Sequence, residues 1–169
     1  MRKKSQILVI GYSRELCNNN AYDVAYSVGK EIAKANIVLV TGGLGGVMEA
    51  ASKGAAEEGG LVVGIIPQDD PKTANPYCDI VIPTGMGIMR DFLTAFACDA
   101  MIIVGGGAGS MIEAAASYLK GKPILAIEGT GGIADELAGK YLDERRTTKI
   151  LGVKTPTEAV KKAIKLLRR

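Results

Sequence analysis

The sequence contains no histidine and no tryptophan, and only three of its 169 residues are cysteines. Without histidine there is no Ser-His-Asp triad, no Cys-His pair and no histidine-ligated metal site. Cys17, Cys78 and Cys98 are far apart and form no CxxC pair, so neither a disulfide framework nor a zinc site is indicated. Acid–base chemistry would therefore have to use Asp, Glu, Lys, Tyr or Cys side chains, and no metal site is predicted.

Long hydrophobic runs and a strong charge bias are missing as well. No apolar run approaches the roughly 18 residues of a membrane span. The apolar part of the N-terminal segment is shorter than the roughly 7–15-residue core of a signal peptide. The net charge is only +3, and no aromatic residues interleave with the basic C-terminal tail. We expect a single cytoplasmic domain over residues 1–169 that binds neither membranes nor nucleic acid.

Glycine, by contrast, is abundant. The chain has 22 glycines, nearly twice the usual share of about 7%. Many of them lie in three short stretches: TGGLGG at 41–46, GGGAG at 105–109 and GTGG at 129–132. Each stretch follows a predicted strand and precedes a predicted helix, so the glycines mark strand-to-helix turns and not a flexible linker.

Short β-rich runs alternate with helical stretches along the chain. The predicted strands are residues 6–11, 36–41, 61–67, 79–84, 100–105, 123–128 and 148–153. The predicted helices are residues 21–35, 47–58, 87–98, 110–120, 133–141 and 156–167. Most strands are nearly continuous apolar runs, which are typical of parallel strands covered on both faces. The alternation predicts a three-layer, doubly wound α/β sheet. One long irregular segment, 68–78, has no assigned role.

The three glycine stretches lie where such sheets bind ligands, outside the carboxyl ends of the strands. Consecutive glycine N–H groups form a concave nest, and the following helix N-terminus adds partial positive charge. Glycine also permits tight turns without a ligand. The need for a tight turn would explain one glycine stretch, but not three stretches at the same edge of the sheet. We therefore predict a phosphorylated small ligand. The predicted ligand-binding residues are Gly11, Ser13, Thr41, Gly42, Gly43, Gly45, Gly46, Gly105, Gly106, Gly107, Gly109, Ser110, Thr130 and Gly131.

Two common phosphate-binding motifs are absent. The turn after the first strand reads GYSREL and not the GxGxxG of dinucleotide-binding sites, and GxGxxG is also missing from residues 41–49 and 105–113. No acidic residue ends the second strand, where a ribose-binding acid would be expected. Neither of these two stretches runs into the Gly-Lys-Ser/Thr of a P-loop. NAD dehydrogenases and P-loop ATPases are therefore disfavoured.

Two longer segments, 41–67 and 105–124, resemble the LONELY GUY family of cytokinin-activating phosphoribohydrolases, a lysine-decarboxylase-like group. The family pattern is a GGGxxGLMG loop followed by PGGxGTxxE. The second motif falls on 105–113, where Gly105 replaces the family proline and Ser110 replaces the threonine. The segment 129–146 is more similar to a sister group of small Rossmann-like nucleotide-binding proteins, which includes the molybdenum cofactor carrier proteins.

The resemblance covers roughly residues 6–128 and has several implications. It implies a Rossmann-like sheet of about seven strands, which we expect in the order 3-2-1-4-5-6-7 with the first strand central. It also implies dimers at least. The helices around Arg90 and Ser110 carry an apolar stripe, through which we expect a homodimer or homotetramer to form: Ile88, Phe92, Phe96, Ile112, Tyr118 and Leu119. The family's catalytic arginine maps onto Arg90 and its motif glutamate onto Glu113. Asp91 stands where the family has a lysine.

Two functions remain open. One is a binding or carrier protein for a phosphorylated heterocycle, such as a nucleotide or the molybdenum cofactor. The other is a hydrolase that cleaves the N-glycosidic bond of a nucleoside 5′-monophosphate, with Glu113 at the cationic sugar and Arg90 at the phosphate. Neither function requires a cofactor. The possible bound ligands are a nucleotide, phosphate or a molybdopterin-type compound.

Both candidate catalytic residues also have a purely structural interpretation. Ser110-x-x-Glu113 is the pattern of a capping box, in which the glutamate returns to the helix start. Arg90 could be a surface helix residue paired with Asp91 or Glu113.

Overall fold

The computed structural model describes residues 4–168 and contains one seven-stranded parallel sheet with helices on both faces. The strands are β1 Gln6–Gly11, β2 Val38–Thr41, β3 Val62–Ile66, β4 Ile80–Pro83, β5 Ala100–Val104, β6 Ile124–Ile127 and β7 Ile150–Val153. The α-helices are α1 Asn19–Lys34, α2 Val47–Glu57, α3 Arg90–Ala97, α4 Ala108–Leu119, α5 Gly132–Leu137 and α6 Pro156–Leu167. The predicted α/β, Rossmann-like class is confirmed.

Two hydrophobic cores lie on opposite faces of the sheet. In β1, Ile7 and Val9 pack into one core with residues of α1, α2 and α6. Leu8 and Ile10 pack into the other core with residues of α4 and α5. Because side chains alternate along a strand, a strand buried on both faces needs an unbroken apolar run. This explains the sequence pattern of β1 and β5.

The strand order is β4-β3-β2-β1-β5-β6-β7, with β1 central as predicted. The fourth strand differs from the predicted order, since it lies at the edge beside β3 and not beside β1. The link from β3 to β4 contains only the short 3-10 turn Pro71–Thr73. Helix α3 then crosses the face over β3, β2 and β1 and returns the chain to β5.

Several helix ends also differ from the predicted ones. Helix α3 begins at Arg90 because a 3-10 turn, Gly87–Met89, precedes it. Helix α5 ends at Leu137, shortly before Gly139, whose φ of +78° favours glycine. Helix α6 begins as predicted. None of the helices in residues 4–168 combines the length and the apolar character needed to span a bilayer.

Candidate functional site

An open pocket of about 220 Å³ lies at the carboxyl ends of the central strands, and we call it the first pocket. Eight of the predicted site residues line it: Gly11, Ser13, Gly42, Arg90, Gly107, Gly109, Ser110 and Glu113. Seven further residues complete the lining: Val9, Ile10, Leu16, Leu44, Met48, Asp91 and Ala108. The pocket therefore combines apolar walls with a small set of charged groups and helix-start glycines.

The guanidinium of Arg90 is buried in this pocket beside two carboxylates. Arg90 is 8% exposed, and its Nη1 lies 3.4 Å from Oδ1 of Asp91 and 3.7 Å from Oε1 of Glu113. Both distances are longer than a normal N–H···O hydrogen bond. Among residues 4–168, Nε of Arg90 has no hydrogen-bond partner. Because a buried unpaired donor is costly, this guanidinium is well suited to receive an anion.

Gly42 makes room for Arg90. A Cβ on Gly42 would lie 2.4 Å from Nη1 of Arg90 and 2.6 Å from Sδ of Met48. No real Cβ tolerates such distances, so a larger residue would displace the arginine head or the methionine. Glycine is therefore required at position 42 by the packing of Arg90 and Met48, whether or not a ligand binds there.

The carboxylate of Glu113 points from α4 towards α3. Glu113 is 6% exposed and accepts a hydrogen bond of 2.8 Å from Oγ1 of Thr94. Burial raises the pKa of Glu113 to about 7, while Arg90 and the Thr94 hydrogen bond oppose the rise and Asp91 adds to it. A carboxyl group with a pKa near neutrality can both give and take a proton.

The capping-box interpretation does not fit this geometry. Helix α4 begins at Ala108 and its N-cap is Gly107, so Ser110 lies inside the first turn. The Glu113 side chain contacts α3 and not the start of its own helix. Arg90 is buried at the start of α3 and so is not a surface residue, but it is paired with Asp91 and Glu113, as the structural interpretation expected.

Asp91 places a second carboxylate beside the same guanidinium. Asp91 is 6% exposed, and burial raises its pKa, with Arg90 opposing the rise. Its Oδ2 lies 3.7 Å from the point where a Cβ on Gly109 would stand. Two carboxylates thus face one guanidinium, and the pocket carries a net negative charge whenever Asp91 and Glu113 are both ionised.

The first turn of α4 is open to a ligand. The first helical hydrogen bond runs from N of Met111 to O of Gly107, at 3.0 Å. In the part of the chain that the structure describes, the backbone N–H groups of Ala108 and Gly109 have no partner. A Cβ on Gly107 would meet nothing within 4 Å. Free amides and a helix N-terminus next to open space make an anion-binding nest.

The hydroxyl of Ser110 has a structural partner. It donates a 2.9 Å hydrogen bond to O of Gly11 and so ties α4 to the end of β1. Its one hydrogen is used in this contact. An anion at this turn would rely on the N–H groups of Ala108 and Gly109 more than on the predicted hydroxyl.

The TGGLGG stretch, 41–46, is held mainly by contacts within the protein. Oγ1 of Thr41 accepts a 3.1 Å hydrogen bond from N of Gly43. N of Val47, the first residue of α2, donates to O of Tyr12 at 3.0 Å. The N-terminus of α2 is therefore covered by the loop after β1.

The GTGG stretch supports the loop before α4. N of Gly105 donates a 2.8 Å hydrogen bond to Oγ1 of Thr130. At the start of α5, N of Ile133 and N of Ala134 donate to O of Gly106 and O of Gly105. Protein carbonyls thus occupy the place that we predicted for an anion at this helix.

The glycine stretches therefore contribute unequally to the pocket. A second pocket, lined in part by Gly45, adjoins the first. Seven of the predicted residues line neither pocket: Thr41, Gly43, Gly46, Gly105, Gly106, Thr130 and Gly131. Asp91, Leu44 and Met48 were not predicted as ligand contacts. Asp91 adjoins Arg90 in the sequence and Leu44 lies within the 41–46 glycine stretch, so both had a usable signal, whereas Met48 carries no local signal.

A model of the SLOG cluster4 family matches residues 4–160. The chain belongs to this family. An uncharacterized protein of Archaeoglobus fulgidus is 44% identical over 126 residues, which make up 75% of this chain and 82% of that protein. The sequence predicted a relative of the LONELY GUY family, and this prediction is confirmed for the SLOG cluster4 chain.

Two solved structures resemble the SLOG cluster4 chain over its whole length. The molybdenum cofactor binding protein of Rippkaea orientalis has a TM-score of 0.86 at 28% identity and covers 100% of both chains. The molybdenum cofactor carrier protein of Chlamydomonas reinhardtii has a TM-score of 0.85 at 29% identity and covers 99% of this chain and 100% of its own.

Proposed function

We propose that this chain binds a phosphorylated heterocycle, a nucleotide or a pterin such as the molybdenum cofactor, with the phosphate at the N-terminus of α4. The buried guanidinium of Arg90, whose Nε has no hydrogen-bond partner within residues 4–168, carries this proposal, because Arg90 lines the same pocket as the open nest at Gly107. A charge-assisted hydrogen bond from Arg90 to a phosphate would satisfy the unused donors.

The structural neighbours support a carrier role. Two of them are described as binding or carrying the molybdenum cofactor, and each aligns over its full length. The residues present here fit the phosphate of such a cargo, since free amides and a cation converge on open space. The ring of the cargo would have to lie beyond Arg90 and the nest.

The test is to identify and then titrate the ligand. Native mass spectrometry of the purified chain should show a retained phosphorylated small molecule. Calorimetry with inorganic phosphate and with AMP should then show saturable binding. If correctly folded protein gave no signal with any phosphorylated ligand, the proposal would fail.

A hydrolase is the second candidate, and one observation favours it. Arg90 and Glu113 lie together in a pocket, and the pKa of Glu113 is about 7, as is common for catalytic carboxyl groups. In such a reaction the bond from the base nitrogen to ribose C1′ breaks, water adds to C1′, and free base and ribose 5-phosphate leave. Glu113 could stabilise the cationic sugar or take the proton of the water.

Asp91 argues for slow turnover. A carboxylate within a few ångströms of a phosphate is repulsive by roughly 1–4 kcal/mol at intermediate dielectric. Each 1.4 kcal/mol corresponds to about a tenfold change in binding or rate. Asp91 therefore lowers the expected rate of turnover, and the carrier proteins among the structural neighbours favour binding over hydrolysis.

We further propose that the chain assembles as a homodimer or homotetramer through the face formed by α3 and the turn before it. Seven large apolar side chains are exposed on this face and the neighbouring end of α4: Met86, Ile88, Met89, Phe92, Leu93, Phe96 and Leu119. Of the apolar stripe expected from the sequence, Tyr118 belongs to the core instead, where its hydroxyl donates to Oδ1 of Asp143 at 3.0 Å.

A further inference from the structure

A second pocket of about 320 Å³ adjoins the first. Its walls are formed by residues 13–15 after β1, by residues 44–45 with Met48, and by residues 73–76 of the irregular segment 68–78. Neither the predicted anion site nor the proposed function accounts for this segment.

Asn75 fixes the outer wall of the second pocket. Asn75 is 7% exposed, and its backbone N donates to O of Gly43 at 2.8 Å. Its Nδ2 donates to O of Leu44 at 3.1 Å, and its Oδ1 accepts from N of Tyr77 at 3.1 Å. A buried asparagine with one backbone and two side-chain hydrogen bonds of this kind holds the segment in place, so residues 73–76 form a preformed wall.

The two pockets share part of their lining. Ser13, Leu44 and Met48 line both of them. The first pocket, at about 220 Å³, is smaller than the roughly 300–1,000 Å³ of typical ligand sites. A ligand with its phosphate at α4 therefore has to extend further, and the second pocket is the adjoining space.

We propose that the second pocket is the subsite for the heterocyclic ring of the ligand. This inference rests on the proposed function, since it takes the phosphate position at α4 as given. Leu44, Met48 and Pro76 offer apolar surface to a flat ring, and a thioether adapts well to aromatic partners. Polar groups at the rim would then read the edge of the ring.

Among the described residues that line the second pocket, Glu15 is the only carboxylate, and it is exposed at the rim, where it can contact the edge of a ring. When it is ionised, its carboxylate accepts hydrogen bonds but cannot donate one. Hydrogen bonds from its own backbone and from Ser13 lower the pKa of Glu15, which keeps it ionised at neutral pH. Arg14, the neighbouring cation, is paired with Glu49 at 3.1 Å. An edge with two adjacent N–H donors fits Glu15, and both guanine and pterin have such an edge whereas adenine does not.

The experiment is calorimetry with inorganic phosphate, AMP and GMP. Ala74→Phe fills the second pocket from a residue that lines only this pocket and has an extended backbone, with φ of −66°. We expect GMP affinity to fall by about tenfold or more, a loss of about 1.4 kcal/mol, with phosphate affinity unchanged. Lys72→Phe is the matched control, because it adds the same ring at an exposed position outside the pocket.

Glu15→Gln provides an independent arm that changes no volume. We expect the unaltered chain to bind GMP more tightly than AMP, and Glu15→Gln to remove that preference. An unchanged preference would overturn the role of Glu15, and unchanged GMP affinity in Ala74→Phe would overturn the subsite. GMP binding no tighter than inorganic phosphate would also overturn the subsite while leaving the anion site intact. Failure of all three probes would overturn the proposed function itself.

Discussion

Nη1 of Arg90 lies 3.7 Å from Oε1 of Glu113, and both side chains are about nine-tenths buried. The packing of α3 against α4 brings them together in the first pocket, which the N-terminal turn of α4 also lines. Neither residue is fully neutralised by the other, since Arg90 also faces Asp91 and Glu113 has a pKa near neutrality. This unsatisfied cluster is the basis of the predictions that follow.

Replacing Arg90 should remove most anion affinity. Arg90→Gln deletes the cation that faces the nest and leaves the carboxylates of Asp91 and Glu113 beside it. We expect the dissociation constants for AMP and inorganic phosphate to rise by about tenfold or more, which corresponds to at least about 1.4 kcal/mol. The control is Arg145→Gln, which removes an exposed arginine paired with Asp143. Equal affinities in Arg90→Gln and the unaltered chain would contradict this role.

Filling the nest should abolish binding without unfolding the chain. Gly107→Val would place its side chain in the open space before α4, where a Cβ would meet nothing within 4 Å and where φ, at −131°, lies outside the left-handed region. We expect no detectable heat with AMP and an unchanged far-ultraviolet circular dichroism spectrum. Ala115→Val, on the same helix but outside the pocket lining, should bind as the unaltered chain does. Retained AMP binding in a folded Gly107→Val protein would place the anion elsewhere.

The buried carboxyl group of Glu113 should make folding stability depend on pH. Burial raises its pKa from the usual 4.5 to about 7, so the folded state binds more protons than the unfolded state between these values. Its contribution is therefore fully present below about pH 4.5 and is lost as the pH rises to 7. At pH 8, Glu113→Gln should be more stable than the unaltered chain by up to roughly 3 kcal/mol.

Urea unfolding of both proteins at pH 4.5 and pH 8 measures this difference. The difference in the free energy of unfolding should shrink towards zero at the lower pH, where the unaltered glutamate is protonated. A difference of the same size at both pH values would show that Glu113 does not titrate in this range.

The exposed apolar face of α3 should mediate assembly. Light scattering at micromolar concentration is expected to give the mass of a dimer or tetramer. Ile88→Asp places a charge in the centre of this face, where Ile88 is 63% exposed, and should produce a monomer. Leu61→Asp alters an exposed apolar residue outside the face and should leave the mass unchanged. An unaltered chain that is monomeric would refute the oligomer.

Most of the fold could be predicted from local sequence patterns, whereas the position of β4 could not. The continuous apolar strands and the glycine-rich turns indicate a parallel α/β sheet directly. The strand Ile80–Pro83 reads as equally apolar, yet Ile80 and Ile82 are 46% and 44% exposed at the sheet edge. Pro83 is a sequence signal for an edge strand, because proline cannot donate to the ladder, but it does not say which strand is its neighbour.

The candidate site was predictable only in part for a related reason. The backbone N–H groups of a glycine-rich turn can donate to an anionic ligand or to a carbonyl oxygen of the protein itself. At α5 the carbonyls of Gly105 and Gly106 fill that role, whereas the nest at Gly107 stays open. The sequence shows which turns are bare but does not show which of them another loop covers.

Hydrolysis of nucleoside monophosphates should be slow and should depend on Glu113. We expect turnover well below about 1 per second, the lower end of ordinary enzyme rates, when free base and ribose 5-phosphate are assayed with AMP and an N6-modified AMP. Glu113→Gln should remove the residual activity, and Asp91→Lys should increase it by relieving the repulsion of the phosphate. Residual turnover that survives Glu113→Gln would exclude Glu113 as the catalytic group.

The most direct measurement of the central claim is a calorimetric titration of the unaltered chain with AMP, followed by assay of the same sample for free base. The account predicts saturable binding at one site per chain, with AMP recovered intact over the time of the titration. Either the absence of binding of AMP, GMP and inorganic phosphate alike by correctly folded protein, or the release of base at ordinary enzyme rates, would contradict it.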